Sequence, residues 1–108
     1  MTSLATTERP LGLNDRVSRN RRTLSAEVRG EAVALDVANG CCYGFDAVAT
    51  RIWSMMDTPA TIGEICAALL AIYDVAPETC EAEVLTLCAD LRLEGLITVE
   101  SGAPPQGP

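Results

Sequence analysis

Cysteine is the residue type in this chain that offers the most chemistry. Five cysteines occur in 108 residues, and two of them, Cys41 and Cys42, are adjacent. A thiolate can serve as a nucleophile or as a metal ligand. The spacing argues against both uses, because there is no C-x-x-C pair and no basic residue near Cys42 in sequence that would lower the pKa of its thiol. We therefore expect reduced thiols and no metal site, with Cys42 as the most exposed of the five.

The other common catalytic groups are missing as well. The chain has no His and no Lys, so neither an imidazole base nor a Schiff-base amine is available. Its eight glycines are dispersed and form no phosphate-binding loop. The sequence therefore predicts a protein that is not an enzyme and that holds no cofactor.

Charge is distributed unevenly along the chain. Residues 1–29 contain six arginines against three acidic residues, a local net charge of +3. Residues 30–108 contain two arginines against twelve acidic residues, a local net charge of -10. Because phosphate neutralisation supplies most non-specific nucleic-acid affinity, such a body should not bind nucleic acid. The basic arm could contact an anionic partner, although a solvated N-terminus is the simpler interpretation.

A β-hairpin is predicted in the first half of the chain. Residues 32–37 are apolar except for Asp36 and are rich in Ala and Val, an Asn-Gly turn signal follows, and residues 41–45 carry aromatic side chains at alternate positions. Residues 13–19 are a weaker strand candidate, and residues 23–28 either extend that strand or form a loop. The alternation of strand side chains should place two groups on opposite faces of the second hairpin strand. The inward group is Cys41, Tyr43 and Phe45, and the outward group is Cys42 and Gly44.

Three helices are predicted after the hairpin. The first should cover residues 47–56 behind an Asp46 N-cap, and the second should begin at a Thr61-x-x-Glu64 capping box. The third should cover residues 77–94 and end at Gly95 in a left-handed conformation. The side chains expected to face the core at helical spacing are Val48, Ile52, Met55, Met56, Ile62, Ile65, Cys66, Leu69, Ile72, Tyr73, Cys80, Val84, Leu87, Cys88 and Leu91.

Together these elements predict an α+β fold of the winged helix-turn-helix type, with an N-terminal antiparallel sheet of about three strands followed by three helices. A short closing strand is expected over residues 96–99. We expect one domain over residues 13–100, a flexible arm over residues 1–12 and a disordered tail over residues 101–108. No signal-peptide or membrane-span pattern is present, which predicts a cytoplasmic protein with no membrane partner.

The order of several short motifs resembles the PqqD-like family, also called RiPP recognition elements, over about residues 31 to 98. The matching residues are Tyr43, Phe45-Asp46, Ala49-Thr50-Arg51-Ile52-Trp53, Thr61 with Glu64, Glu83-Val84, Leu91 and Gly95-Leu96. Two positions depart from the family pattern, since Phe45-Asp46 replaces a usual Leu-Asn and Cys88 stands where Leu is frequent.

The resemblance implies a non-catalytic module that binds the leader segment of a ribosomally made precursor peptide. A stand-alone chain of this length is most similar to the leader-binding proteins of lasso-peptide biosynthesis. That similarity implies a transglutaminase-like leader peptidase as a partner, and the cyclase as a further one. Two other functions remain open on the residues alone: an acidic winged-helix transcription regulator or other protein-interaction domain, and a small thiol protein.

The resemblance also implies where the leader binds. It should add as an antiparallel strand along the edge formed by Cys41, Cys42, Tyr43, Gly44 and Phe45. Helical spacing then suggests a groove wall on the third helix, formed by Glu81, Leu85 and Arg92 with Cys88 at the floor. Leu85 either anchors a leader side chain or merely widens the buried face.

Overall fold

The computed structural model describes residues 10–100 and forms six strands and three helices within them. The strands are β1 (Arg16–Arg19), β2 (Thr23–Val28), β3 (Glu31–Asp36), β4 (Cys41–Gly44), β5 (Ala60–Thr61) and β6 (Ile97–Glu100). The helices are α1 (Ala47–Met55), α2 (Ile62–Ile72) and α3 (Pro77–Leu93). No helix in this part of the chain combines the length and apolarity needed to cross a bilayer. The predicted α+β arrangement of antiparallel strands and three helices is confirmed.

The hairpin predicted from the sequence belongs to a three-stranded antiparallel sheet with the order β2-β3-β4. Residues 23–28 are a full strand of this sheet rather than an extension of the preceding one. Arg29 and Gly30 connect β2 to β3, and both have positive φ angles, of 57° and 83°. Two such residues in a two-residue loop match the type I′ turn, whose twist suits a hairpin. The Asn39-Gly40 turn joins β3 to β4, and Gly40 has a φ of 67°.

The first and last strands form a second sheet, with the order β5-β1-β6. Residue Arg16 pairs with Glu100, and Arg19 pairs with Ile97, so the two ends of the domain are joined. The side chains of Ser18 and Thr98 are also within hydrogen-bonding distance, at 3.1 Å. The weaker strand candidate of the sequence is thus a central strand, although it lies outside the hairpin sheet.

The helix termini match the sequence prediction. The amide of Ala49 donates to Asp46 Oδ1 at 2.8 Å, and Thr61 and Glu64 form the reciprocal capping box. Gly95 has a φ of 77°, as a left-handed position beyond a helix C-terminus requires. The helices and strands enclose one core of buried apolar side chains: Val17, Ala32, Ala34, Phe45, Ile52, Trp53, Met56, Ile62, Ile65, Cys66, Leu69, Cys80, Val84, Cys88, Leu91, Leu96 and Ile97.

Two side chains predicted to face the core are exposed instead. Val48 is 40% exposed in the first turn of α1, and Ile72 is 52% exposed at the end of α2. Both follow the apolar period of their helix, but they lie at helix ends, where the neighbouring elements no longer cover the stripe. The prediction of burial was wrong at these two positions.

The packed part of the chain begins before residue 13. Leu11 packs against the core, and the amide of Gly12 donates to Asp15 Oδ2 at 2.8 Å. The Gly63 amide donates to the Leu13 carbonyl at 2.8 Å, which attaches this segment to the start of α2. The remainder of the predicted arm, residues 1–9, and the predicted tail, residues 101–108, lie outside the described residues.

Candidate functional site

Strand β4 lies at one edge of the β2-β3-β4 sheet, and within residues 10–100 it pairs with β3 alone. The Phe45 amide donates to the Ala32 carbonyl on β3, at 2.9 Å. Backbone N–H and C=O groups point to alternate sides along a strand, so the backbone groups of Tyr43 and Cys41 also point toward β3. Cys42 and Gly44 therefore direct their N–H and C=O groups away from the sheet, where another strand could pair with them.

The side chains of β4 alternate as the sequence predicted. Cys41 and Tyr43 are half-buried and Phe45 is buried, whereas Cys42 and Gly44 are exposed on the opposite face. On the inner face the Tyr43 and Phe45 rings lie 5.1 Å apart between centroids. Phe45 in turn stacks on Trp53 of α1 at 5.0 Å. This row of rings connects the exposed edge strand to the core.

Helix α3 faces the inner side of β4 through its C-terminal half. The Cys41 thiol donates to Glu94 Oε1, with an Sγ–Oε1 distance of 3.4 Å. Partial burial, followed by the charges of Asp90 and Glu94, raises the pKa of Tyr43. These contacts bring the aromatic face of the edge strand next to two carboxylates of the helix. We call the channel between β4 and α3 the strand–helix groove. Cys41 and Tyr43 lie on one side of it, and Leu87, Asp90 and Glu94 lie on the other.

Two hollows continue this groove toward the start of α3. A shallow depression of about 330 Å³ runs along α3, and its lining includes Leu87 and Asp90. A deeper and more apolar cavity of about 290 Å³ lies between the three helices, and Glu83 borders both hollows. The lining of this deeper cavity, which we call the interhelical cavity, is Val48, Ile52, Leu69, Tyr73, Asp74, Val75, Cys80, Glu83 and Val84. Its apolar wall and two acidic residues suit an apolar side chain that has a basic neighbour.

The residues that the sequence suggested for the groove wall lie on the other flank of α3. Leu85 is two residues from Leu87 and therefore lies roughly 160° around the helix axis from it. Burial, then the interaction with Cys80 and last the charge of Glu81, raises the pKa of the Cys66 thiol on α2, which places Glu81 on the side of α3 toward α2. Leu85 is half-buried and packs against the core. This flank thus faces α2 rather than β4.

The two remaining residues of the suggested wall do not reach the groove either. Cys88 is fully buried at 0% exposure, and burial raises the pKa of its thiol to about 12. Arg92 is half-buried and, by helical spacing, shares the flank of Leu85. Helical periodicity finds the buried stripe of α3, but it cannot tell which flank of that stripe meets β4. Sequence reasoning did not select Leu87, Asp90 and Glu94 for the groove, and it did not identify the interhelical cavity that Val48, Val75 and Glu83 help to line.

The cysteines of the described region are free thiols in different environments. Cys42 is exposed, Cys41 is half-buried, and Cys66, Cys80 and Cys88 are buried. Partial burial and the hydrogen bond to Glu94 raise the pKa of Cys41 above its ordinary value of 9.0. Burial also raises the pKa values of Cys66 and Cys88, and a raised pKa lowers the thiolate fraction, so Cys41, Cys66 and Cys88 do not resemble activated nucleophiles. Residues 10–100 contain no cluster of three acidic or cysteine side chains placed to hold a metal ion.

Comparisons with known proteins add independent findings. The family model of coenzyme PQQ synthesis protein D (PqqD) matches residues 31–97. A solved structure of TbiB1 in complex with the TbiA(beta) leader peptide has the same fold, with a TM-score of 0.70 and 30% sequence identity. The match covers 74% of this chain and 93% of that one. No curated protein sequence matches the chain significantly.

Proposed function

Because the chain belongs to the PqqD family of RiPP recognition elements, we propose that it binds the leader segment of a ribosomally synthesised precursor peptide and catalyses no reaction itself. The similar TbiB1 structure holds a leader peptide, which supports this class of ligand. The observation that carries the proposal is the outward-facing backbone of Cys42 and Gly44 on the edge strand, directly beside the strand–helix groove.

The leader adds to β4 as an antiparallel strand in this proposal. Its backbone pairs with the N–H and C=O groups of Cys42 and Gly44, which supplies affinity that depends little on sequence. Side chains on a strand alternate between faces, so every second leader residue points into the strand–helix groove. There it meets Tyr43 on one side and Leu87 on the other. An apolar residue further along the leader reaches the interhelical cavity, and these contacts supply specificity.

Charge also selects the ligand. The groove and the interhelical cavity are bordered by the carboxylates Asp74, Glu83, Asp90 and Glu94. A leader with Lys or Arg next to its apolar anchors is therefore favoured, and nucleic acid is repelled. The same α3 surface that would read a DNA groove in a transcription regulator is acidic here, which favours a peptide ligand over that alternative.

The family and the likeness to the TbiB1 structure, which holds a leader peptide, support a biosynthetic context for the proposal. We propose that the protein acts in the cytoplasm in lasso-peptide biosynthesis, where it delivers the bound precursor to a transglutaminase-like leader peptidase and to the cyclase. The absence of His and Lys from the sequence supports a delivery role without catalysis. Cofactors and metals have no part in this function.

Calorimetric titration of the purified protein with the synthetic leader tests the proposal. We expect one site per chain and an affinity in the micromolar range or tighter, which weakens as salt is added. A scrambled leader of the same composition is the matched control, and a DNA duplex tests the transcription-regulator alternative. Equal binding of the native and scrambled leaders, or micromolar binding of the duplex, would contradict the proposal.

A further inference from the structure

Trp53 lies at the junction of the two sheets and contacts both of them. It belongs to α1, and its side chain is 1% exposed. On the side of the β2-β3-β4 sheet, the Phe45 ring stacks on it with 5.0 Å between centroids, and its indole N–H donates to Ser25 Oγ at 3.0 Å. On the side of the β5-β1-β6 sheet it meets Arg19, the last residue of β1. A change in the position of Trp53 therefore affects both sheets.

Arg19 holds the end of α1 through both its side chain and its backbone. The guanidinium carbon lies over the Trp53 ring, 4.7 Å from its centroid, and Nε donates to the Trp53 carbonyl at 3.1 Å. The backbone N–H of Arg19 donates to the Met56 carbonyl at 3.0 Å. Nη1 also lies 3.7 Å from Asp57 Oδ1, but the Asp57 side chain is 77% exposed, so this ion pair contributes little. The two contacts with Trp53 are therefore the principal ones of the Arg19 side chain.

An arginine suits this place because of the helix end that it meets. The last carbonyls of a helix lack intrahelical donors and carry a partial negative charge. The last turn of α1 contains no basic residue of its own, so β1 supplies the cation. A planar guanidinium can donate to a carbonyl and lie over an aromatic ring at the same time, whereas a lysine ammonium is a point charge that does not reproduce both contacts. The guanidinium of Arg19 is thus matched to both the backbone and the ring of Trp53.

A row of three rings leads from this contact to the strand–helix groove. Trp53 stacks with Phe45 at an interplanar angle of 23°, and the Phe45 ring lies 5.1 Å from the Tyr43 ring between centroids. Phe45 is buried, and Tyr43 borders the groove beside Asp90 and Glu94. Side chains packed in a core do not move independently, because little free volume separates them. A shift of Trp53 therefore reaches Tyr43 through Phe45.

The backbone links the same two places. Phe45 follows the end of β4, and the next residue, Asp46, caps the start of α1 by accepting from the Ala49 amide at 2.8 Å. Arg19 holds the other end of this nine-residue helix. Because its backbone hydrogen bonds run along its length, so short a helix moves as one body. A rotation of α1 at its C-terminus would therefore also turn its N-terminus, which lies beside the edge strand.

We infer that Arg19 is a positioning residue of the leader site, which through Trp53 and Phe45 sets the place of the Tyr43 ring in the strand–helix groove. The inference rests on the proposed leader binding and adds a residue of the second sheet that does not itself line the groove. In this role, Arg19 affects the leader affinity of the folded protein. A purely structural role would affect the free energy of unfolding alone, because a two-state protein that stays almost fully folded keeps its native affinity.

Arg19→Met tests this role, since it keeps the aliphatic part of the side chain and removes the guanidinium. There are two matched controls: Ser18→Ala removes the 3.1 Å contact with Thr98 from the same strand, and Asp57→Asn removes only the exposed ion pair. Circular dichroism and urea titration give the fold and the stability of each variant. Calorimetry then measures leader affinity under conditions in which each variant is folded, and NMR spectra of the free proteins give the ring signals of Tyr43.

We expect Arg19→Met to weaken leader affinity about tenfold and to shift the Tyr43 ring signals, while both controls match the parent in both measurements. Should Arg19→Met not fold, Arg19→Lys takes its place with an expected loss of about threefold, because it keeps the charge but not the planar contact. Parent-like affinity or unshifted Tyr43 signals in the folded variant would overturn the inference, and so would an equal loss of affinity in Ser18→Ala. Failure of the parent to bind the leader would instead overturn the proposed function, whereas the NMR comparison needs no leader and tests separately whether Arg19 positions Tyr43.

Discussion

The Cys41 thiol donates a hydrogen bond to the carboxylate of Glu94, joining the start of the edge strand to the end of α3 across 53 residues of sequence. A negative charge at a helix C-terminus opposes the helix dipole, so helix stability does not explain Glu94 at this position. The contact shows which flank of α3 lies beside β4. That flank determines which residues can form the wall of a peptide-binding groove.

Removal of one backbone donor from the edge strand should weaken leader binding. Gly44→Pro replaces an outward-facing N–H, and we expect an affinity loss of about 1 to 3 kcal/mol, because both the hydrogen bond and the close approach of the leader are lost. Gly44→Ala is the control, since it keeps the N–H and an added Cβ meets no atom within 4 Å. Calorimetry with the leader measures both. Parent-like binding by a folded Gly44→Pro variant would place the leader elsewhere.

Two leucines on opposite flanks of α3 distinguish the possible groove walls. Both Leu85 and Leu87 are half-buried and pack against the core. We expect Leu87→Ala to lower leader affinity by about 1 to 3 kcal/mol, because an apolar wall of the groove is lost. Leu85→Ala should lower the free energy of unfolding and spare leader binding. The reverse result would support the wall inferred from helical spacing alone.

The carboxylates of the groove should make leader binding sensitive to salt. The double variant Asp90→Asn and Glu94→Gln removes two negative charges, and we expect a two- to tenfold weaker affinity for a leader with basic residues, since exposed charge pairs contribute about 0.2 to 1 kcal/mol each. Glu78→Gln is the control on the first turn of α3. Titrations at several salt concentrations should give a shallower dependence for the double variant, and an unchanged slope would argue against the acidic wall.

Thiol labelling of the native protein should proceed in a definite order. Cys42 is exposed and should react first, whereas the three buried thiols should react at the rate of unfolding. Cys41 should be slow, because partial burial and the bond to Glu94 raise its pKa. Glu94→Gln should therefore speed the labelling of Cys41 and leave Cys42 unchanged, as followed by mass spectrometry. Early labelling of Cys88 would show that the helix faces are misassigned.

The buried thiols predict how stability depends on pH. Burial raises the pKa of Cys88 from 9.0 to about 12 and that of Cys66 to about 11. Since the unfolded thiols ionise near pH 9, the free energy of unfolding should be unaffected by them below that pH. It should then fall as the pH rises from 9 to 12. Urea titrations between pH 8 and pH 11 should show this fall in the free energy of unfolding. The fall should be smaller in Cys88→Ala and unchanged in Cys42→Ser.

Features that depend on neighbouring residues could be predicted from the sequence. The Asp46 cap, the capping box of Thr61 and Glu64 and the left-handed Gly95 each involve a few consecutive residues, and all three are present. The alternation along β4 is equally local, and it correctly placed Tyr43 inward and Cys42 outward. The local sequence pattern therefore predicted the side-chain faces of the edge strand in the candidate site. The family resemblance indicated the class of ligand.

The tertiary structure decided how distant elements meet. The pairing of β1 with β6, including the contact between Ser18 and Thr98, joins residues 80 positions apart, and nothing in either local pattern specifies it. The groove wall depends in the same way on the rotation of α3 relative to β4. A helix with a buried stripe has two flanks of similar composition, and only packing against α2 and the sheet determines that Glu94, rather than Arg92, reaches the edge strand.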